Sequence, residues 1–448
     1  MAESVLLEFN GGIQSFYGAM EITVSSGNPV IHGAALSQGY SNHFFAPVYT
    51  LPITFESNIP FTLRISPIPK EQIAPTERSF YFPRNTPEGF NKIFEGVFHS
   101  PIIKGPTYPQ ATDRFLNSLS KKNPTKIFVA GNKSSGKSTF SKYIINKLIN
   151  TQQSVYFLDL DPGQPELFLP GTISLTTITN YLFNPPEFNS MLAKKVFFVG
   201  TTSLPENLDY YMTCVSELLK EIPNDAFVVI NSFGWVKDLG LILHQNLIKM
   251  INPGVTFMLH SVDEVPASIN NLQFQVEINP RSGPLKISPK VHRETRIATF
   301  FRRGFNGIST QQPIVVPLSD VRICFLCCEV APCETLTALN GSLVALCNDT
   351  RPFMPPRTKV SLLRMIPPIE CNGMGIVRAI DKENGIIYII TPNPNIEFNT
   401  LVQGLIYLPS EVFTETLRAD ANFIGVGILD KVGASTDPLQ LKNTPVFD

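Results

Sequence analysis

The stretch Gly131-Asn132-Lys133-Ser134-Ser135-Gly136-Lys137-Ser138, running on into Thr139, constrains this chain more than any other. It fits G-x-x-x-x-G-K-[ST], and roughly 0.02 chance matches are expected in a chain this long from average residue usage. A strand-like run, Lys126-Ile127-Phe128-Val129-Ala130, precedes it, and Phe140, Tyr143, Ile144 and Leu148 recur at helical spacing after it. Glycines let such a loop turn its backbone N–H groups inward toward phosphate oxygens. The N-terminus of the following helix adds partial positive charge at the same spot. Lys137 then reaches the β- and γ-phosphates of a nucleoside triphosphate, and the Ser138 hydroxyl is a Mg²⁺ ligand. The alternative is a Gly-rich turn that binds nothing.

The same strand–helix alternation continues beyond the loop. Val155 to Asp159, Val196 to Val199, Ala226 to Asn231 and Val255 to Leu259 read as short apolar strands, with helices at Leu208 to Glu221 and Asp238 to Met250. This pattern predicts an α/β domain over residues 106–310, with a parallel sheet and helices on both faces. Residues 1–105 read instead as a β domain, with Ser4 to Phe9, Ala19 to Val24 and Phe61 to Ile65 separated by Gly, Asn and Pro. A Pro-containing connection from Ser100 to Pro124 carries one short helix. Strands return over 311–448, at Ile314 to Leu318, Arg322 to Val330, Gly341 to Leu346, Gly375 to Ile380 and Gly385 to Thr391, giving a C-terminal β domain. At about 150 residues per domain, a length of 448 residues agrees with three domains.

Composition limits the function classes. Lys plus Arg total 36 and Asp plus Glu 37, so no global attraction to polyanions exists, and any nucleic-acid contact must be local. No apolar run approaches the roughly 20 residues that a membrane-spanning helix needs. Met1-Ala2-Glu3-Ser4 lacks a basic segment leading into an apolar one, which argues against a secretory leader. The seven cysteines, an odd count, fit reduced thiols. Cys324 and Cys327 form one C-x-x-C, but no histidine follows position 292 to complete a zinc set. A buried strand from Val321 to Cys328 is the better account.

Asp159 closes the strand Val155-Tyr156-Phe157-Leu158. At the carboxyl end of a parallel strand it is placed to hold the Mg²⁺ shell. Asp161, two residues on, shares its face and offers a second carboxylate to accept a proton from an attacking hydroxyl. The competing account is an Asp-Pro-Gly turn with solvated carboxylates. A GTPase switch, an ATP-driven motor and a kinase are the rival classes. A GTPase wants N-K-x-D, and His260-Ser261-Val262-Asp263 supplies only the Asp; no further motor motif is present.

A kinase asks for mobile basic residues and an acceptor surface. Arg281, Lys286, Lys290, Arg293, Arg296, Arg302 and Arg303 stand against one acid, Glu294, between Arg281 and Arg303. Arg293 and Arg296 share a helix face, as a lid over a transferring phosphoryl group requires; a solvated basic surface is the other account. Asn231-Ser232-Phe233-Gly234-Trp235 follows the strand ending at Ile230, and Trp235 is the single tryptophan. It either stacks on a nucleic-acid base or packs in the core.

Taken together these elements resemble the eukaryotic and archaeal polynucleotide 5′-hydroxyl kinases. Gly131 to Ser138, Asp159-Leu160-Asp161-Pro162-Gly163-Gln164, Ser232-Phe233-Gly234-Trp235 and Arg293-Glu294-Thr295-Arg296 occur in the family's order of Walker A, Walker B, clasp and lid. Asp161 to Glu166, Gly200-Thr201-Thr202-Ser203, Leu339 to Cys347 and Cys371 to Val377 look like the ribosomal-RNA-processing branch. The likeness covers residues 125 to about 410 well and the N-terminal domain loosely. The family clasp is usually T-x-G-W, often with proline second; here Ser232 keeps the hydroxyl and Phe233 replaces the proline. The long extension that several members carry ahead of the first β domain is not expected here.

The resemblance implies transfer of the ATP γ-phosphate to the 5′-hydroxyl of RNA. Residues 131–139 would bind ATP, with Ser138 and Asp159 on Mg²⁺. Asp161 would be the general base, Lys137, Arg293 and Arg296 the catalytic charges, and Trp235 and Gln164 the RNA contacts. It also implies a nuclear, mainly nucleolar setting and a complex with a partner endonuclease. The alternative is an assembly subunit that binds ATP structurally, as in a sister branch acting in messenger-RNA 3′-end formation.

Overall fold

A computed structural model describes residues 4–73, 81–83, 85–101, 108–119, 124–185, 193–260, 273–277, 287–301, 311–352, 361–364 and 366–409. In chain order the first strands are β1 (Val5–Phe9), β2 (Gly12–Ser26), β3 (Val30–Ile31), β4 (Ala34–Ala35), β5 (Ser41–Ala46), β6 (Ile53–Ser57), β7 (Phe61–Pro67), β8 (Asn91–Phe94) and β9 (Val97–Ser100). The middle of the chain supplies α1 (Gln110–Leu119), β10 (Lys126–Gly131), α2 (Lys137–Ile149), β11 (Val155–Asp159), β12 (Thr172–Ile178), β13 (Lys195–Phe198), α3 (Leu208–Lys220), β14 (Val228–Asn231), α4 (Leu239–Ile251), β15 (Val255–His260), β16 (Gln273–Glu277) and α5 (Pro289–Phe301). The last elements are β17 (Ile314–Pro317), β18 (Arg322–Phe325), α6 (Thr335–Leu339), β19 (Leu343–Cys347), β20 (Ser361–Leu363), β21 (Cys371–Asp381), β22 (Ile386–Ile390) and β23 (Thr400–Gln403).

The chain divides into two compact units. One comprises Met1–Asp161, Leu175–Leu192 and Glu221–Ser288; the other comprises Pro162–Ser174, Ala193–Lys220 and Pro289–Asp448.

In the first unit, β2 is the long spine of an antiparallel sheet, pairing with β5, β6, β7 and β9. Its inward side chains, Phe16, Met20, Ile22 and Val24, meet Phe44, Phe55, Phe61 and Leu63 in a core closed to solvent. Beside this lies a parallel sheet in the order β11-β14-β10-β15-β16. The pairings Val129↔Asn231 and Val129↔Phe257 put these three residues on one face, and Phe128 on the other. Phe140 of α2 meets Phe257 edge-on at 5.2 Å, whereas His244 of α4 meets Phe128 at 6.1 Å. Helices therefore cover both faces, as the sequence predicts. Each buried Phe here is worth about 3–5 kcal/mol against truncation to Ala.

The helix after the phosphate loop is also tied to the antiparallel sheet. His32, between β3 and β4, donates from Nε2 to the Thr139 carbonyl at 2.7 Å. Asn146, fully buried on α2, donates to the carbonyls of His32 (3.1 Å) and Leu182 (3.2 Å) and accepts from the Leu182 N–H at 2.8 Å. A polar residue at that buried helix position is stable because both ends of its amide are satisfied.

In the second unit the sheet runs β17-β22-β21-β19-β23-β18-β20. The pairings of β18 with β20 and β23 are parallel, and those of β19 with β21 and β23 antiparallel. Ile297 and Phe301 of α5 pack into one core with Leu169, Phe198, Cys324, Ala345, Met374 and Val402.

Some boundaries differ from expectation. The cysteine-rich strand ends at Phe325, because Cys327 takes a left-handed backbone (φ 68°) that an extended strand cannot contain. Within residues 106–310 two strands were not anticipated: β12, whose Thr172 and Thr176 are buried although polar, and the short β16. Among the described residues no helix is long and apolar enough to cross a membrane, and no group of His, Cys, Asp and Glu stands at metal-binding spacing.

Candidate active site

The phosphate loop joins β10 to α2, and its backbone explains its sequence. Gly136 takes φ 80°, a left-handed conformation natural to glycine. A methyl on Gly131 would stand 2.5 Å from the Leu259 carbonyl oxygen and 2.5 Å from Ser135 Oγ, so no larger residue fits. The Asn132 carbonyl accepts from Lys137 Nζ at 2.8 Å and from the Ser135 N–H at 3.2 Å, which ties the loop across its mouth. Ser135 Oγ is buried with no hydrogen-bond partner among the described residues. Lys137 is itself buried. Desolvation pushes its ammonium down to about 8, partly offset by the nearby Asp161 carboxylate.

Asp159 is fully buried at the end of β11, directly opposite Asn231 of β14. Asn231 Nδ2 donates to Asp159 Oδ1 at 3.0 Å and approaches Ser138 Oγ at 3.4 Å. The two residues expected to hold Mg²⁺ are thus bracketed by one carboxamide. Their hydroxyl and carboxylate oxygens are the hard donors that this cation takes, so the residues present fit it. Asp161 is half-buried just past the strand, with its N–H 3.4 Å from Asp159 Oδ1.

The clasp segment leaves β14 and crosses to α4. A methyl on Gly234 would lie 2.8 Å from Lys133 Cα, so the clasp touches the phosphate loop. Trp235 is half-buried and its indole rests on Gly240. Phe233, in the position where the resembled clasp often has proline, is buried against the His244 ring at 4.2 Å. His244 Nδ1 lies 2.8 Å from the Gly240 carbonyl, which can only accept, so Nδ1 carries the proton; Nε2 lies 3.1 Å from Ser232 Oγ, whose hydroxyl donates to the Val129 carbonyl at 2.9 Å. Burial pushes this imidazole down to about 4, with the Gly240 hydrogen bond opposing and the Lys137 charge adding to the shift.

Residues 131–139, Asp159, Asp161 and Trp235 therefore belong to one unit; Gln164, Arg293 and Arg296 belong to the other. Gln164 is exposed. Arg293 and Arg296 lie on α5 as expected; Arg296 is buried beside Ile297, and Arg293 is half-buried. Arg281, Lys286, Arg302 and Arg303, and Ser261 to Asp263, lie outside the described residues.

Sequence reasoning assigned no role to Asn231 or His244. A polar residue ending the run Val228-Val229-Ile230, at the carboxyl edge of a parallel strand, was the available signal for Asn231. For His244 it was an imidazole on the apolar face of a helix.

Residues 131–303 match the family model of the mRNA cleavage and polyadenylation factor CLP1 P-loop, and residues 309–409 match that of the NOL9-like C-terminal domain. The polynucleotide 5′-hydroxyl-kinase NOL9 of Arabidopsis thaliana is 30% identical over 339 residues, covering 65% of this chain and 88% of the relative. The chain belongs to the NOL9 polynucleotide 5′-hydroxyl-kinase family. Its Bos taurus member is 26% identical over 384 residues, 69% of this chain and 55% of the relative. The Homo sapiens member is 26% identical over 379 residues, 69% and 54% respectively. The chain thus spans about half the length of these two kinases. Among solved structures, the Clp1p–Pcf11p complex aligns with a TM-score of 0.61 at 15% identity, over 90% of this chain and 98% of the solved one. This establishes the shared fold: a P-loop nucleotide-binding domain with flanking β sheets.

Proposed function

We propose that this protein is an ATP-dependent polynucleotide 5′-hydroxyl kinase that acts on RNA during ribosomal RNA processing. The observation that carries the reading is the contact of Gly234 with Lys133. It brings an aromatic suited to stacking on a nucleic-acid end beside a loop suited to holding a triphosphate.

In the reaction the 5′-hydroxyl oxygen attacks the γ-phosphorus of ATP, the bond from that phosphorus to the β–γ bridging oxygen breaks, and ADP leaves. Asp161 accepts the hydroxyl proton. Lys137 and the loop backbone hold the β- and γ-phosphates, and the approach of a polyphosphate restores full charge to an ammonium that burial has weakened. Ser138 and Asp159 would hold Mg²⁺, whose positive charge would offset the charge building on the phosphates. Trp235 stacks on the terminal base, Gln164 contacts the RNA, and Arg293 with Arg296 are the lid charges. The family resemblance suggests a nuclear, mainly nucleolar setting and a partner endonuclease that generates the 5′-hydroxyl end.

The match to the CLP1 P-loop model favours a second reading, an ATP-binding assembly subunit with little transfer activity. Incubating the protein with γ-labelled ATP and 5′-hydroxyl RNA or DNA oligonucleotides separates the two. Label on the 5′ end of RNA supports the kinase; ATP binding without label transfer supports the assembly subunit.

A further inference from the structure

Asn231 touches both residues assigned to the cation, and half of its side chain is unused. Its Nδ2 serves Asp159 and Ser138, from an interior strand of the sheet, while its Oδ1 is buried with no hydrogen-bond partner among the described residues. The amide orientation is fixed by charge: turned over, Oδ1 would meet the Asp159 carboxylate oxygen at 3.0 Å, acceptor against acceptor. A buried carbonyl left without a donor keeps the cost of its lost hydration, so an orphan of this kind asks for an explanation. Asn231 is itself fully buried, and Ser138 and Asp159 come from different elements, the first turn of α2 and the end of β11.

We propose that Asn231 is the positioning residue of the cation site. Nδ2 holds the Ser138 hydroxyl and the Asp159 carboxylate at a fixed spacing, and Oδ1 accepts a hydrogen bond from a water that the magnesium–nucleotide complex brings with it. Magnesium keeps several of its waters when bound, so such donors arrive with it. This inference rests on the assignment of Ser138 and Asp159 to Mg²⁺, but not on the identity of the phosphoryl acceptor.

The test measures binding alone, with the full chain, in Asn231→Thr and Asn231→Ala. Threonine suits a β-strand and removes the carboxamide. Affinity for a fluorescent, non-hydrolysable ATP analogue is measured with EDTA and with excess Mg²⁺, and Mn²⁺ affinity in the presence of the analogue is read by electron paramagnetic resonance. Loss of a hydrogen-bonding partner around a metal site costs about 10–100-fold in metal affinity. The expected result is that loss in Mn²⁺ affinity and in the Mg²⁺-dependent gain in nucleotide affinity, with metal-free nucleotide affinity within two-fold. Equal losses with and without metal, no change in either, or loss of fold in both variants by circular dichroism would overturn the proposal. Because neither RNA nor turnover enters the assay, a protein that is not a kinase can still pass it, and a kinase can fail it.

Discussion

Gly240 lies directly beneath Trp235. A methyl on its α-carbon would stand 2.2 Å from the Trp235 carbonyl oxygen and 2.6 Å from Cγ and Cδ2 of the indole. The first turn of α4 thus sets the height of the one tryptophan in the chain, and Gly240→Ala must displace it. The expected outcome is weaker RNA binding by about 1–3 kcal/mol, the value of one base–aromatic stack. Fluorescence anisotropy with a labelled oligonucleotide checks this, and unchanged affinity would separate Trp235 from the acceptor.

Trp235→Ala tests the same residue without moving the helix. The ring is half-buried, so its loss should weaken RNA binding to the same degree and leave the melting temperature nearly unchanged. A core tryptophan would instead cost about 3–5 kcal/mol of stability on truncation. Since the clasp touches Lys133, ATP affinity is a further readout, expected to shift by no more than a few-fold. A large fall in melting temperature with RNA affinity retained would make Trp235 a packing residue.

Lys137→Ala should lower phosphoryl transfer by about 10²-fold or more, as removing a preorganised charge from a dry site typically does. Asp161→Asn should cost about 10²–10⁴ in kcat while ATP affinity changes little, because the amide keeps the shape but accepts no proton. Transfer of label to an RNA 5′ end measures both. If Asp159→Asn gives the kcat-only loss and Asp161→Asn does not, the two carboxylates exchange roles.

Much of this was legible in residues that are neighbours in sequence. The phosphate loop declares itself because one turn of backbone requires Gly131, Gly136 and Lys137 together; the flanking periodicity gave β10, α3, β14 and α4 to within about two residues and marked the apolar positions of α2. What escaped depends on register between distant strands. Asn231 meets Asp159 across 72 residues of chain, and only the pairing of β11 with β14 brings them side by side. β12 was missed because Thr-Ile-Ser-Leu-Thr-Thr-Ile alternates too weakly to reveal a strand buried on both faces. The cysteine run misled in the other direction: its apolar character continues past Phe325, but the backbone turns at Cys327.

Asn146→Leu keeps the volume of the side chain but removes three hydrogen bonds between α2 and the segments at His32 and Leu182. The abandoned carbonyls and N–H stay buried, each at about 1–3 kcal/mol. A loss on the order of 3 kcal/mol or more in urea unfolding is expected, from a substitution that raises hydrophobicity. A neutral result would mean that water reaches this junction.

Stability should also fall as the medium is acidified from pH 7 to 5, well before carboxylates titrate, because two histidines are held neutral. His244 and His32 are both pushed down to about 4, mainly by burial, against an ordinary value near 6.5 in the unfolded chain. Above pH 6.5 both states are neutral and the stability is fully present. Between 6.5 and 4 the unfolded chain binds protons that the folded chain refuses, so stability drops by up to about 1.4 kcal/mol per pH unit for each histidine. For the fully buried His244 the total is on the order of 3 kcal/mol by pH 4. His244→Gln keeps a polar group beside Ser232 and removes one titrating group, so its urea midpoint should vary with pH by about one proton less than that of the parent chain. A slope identical to the parent's between pH 7 and 5 would mean that the imidazole charges inside the fold, and that α4 opens around Ser232 to let it.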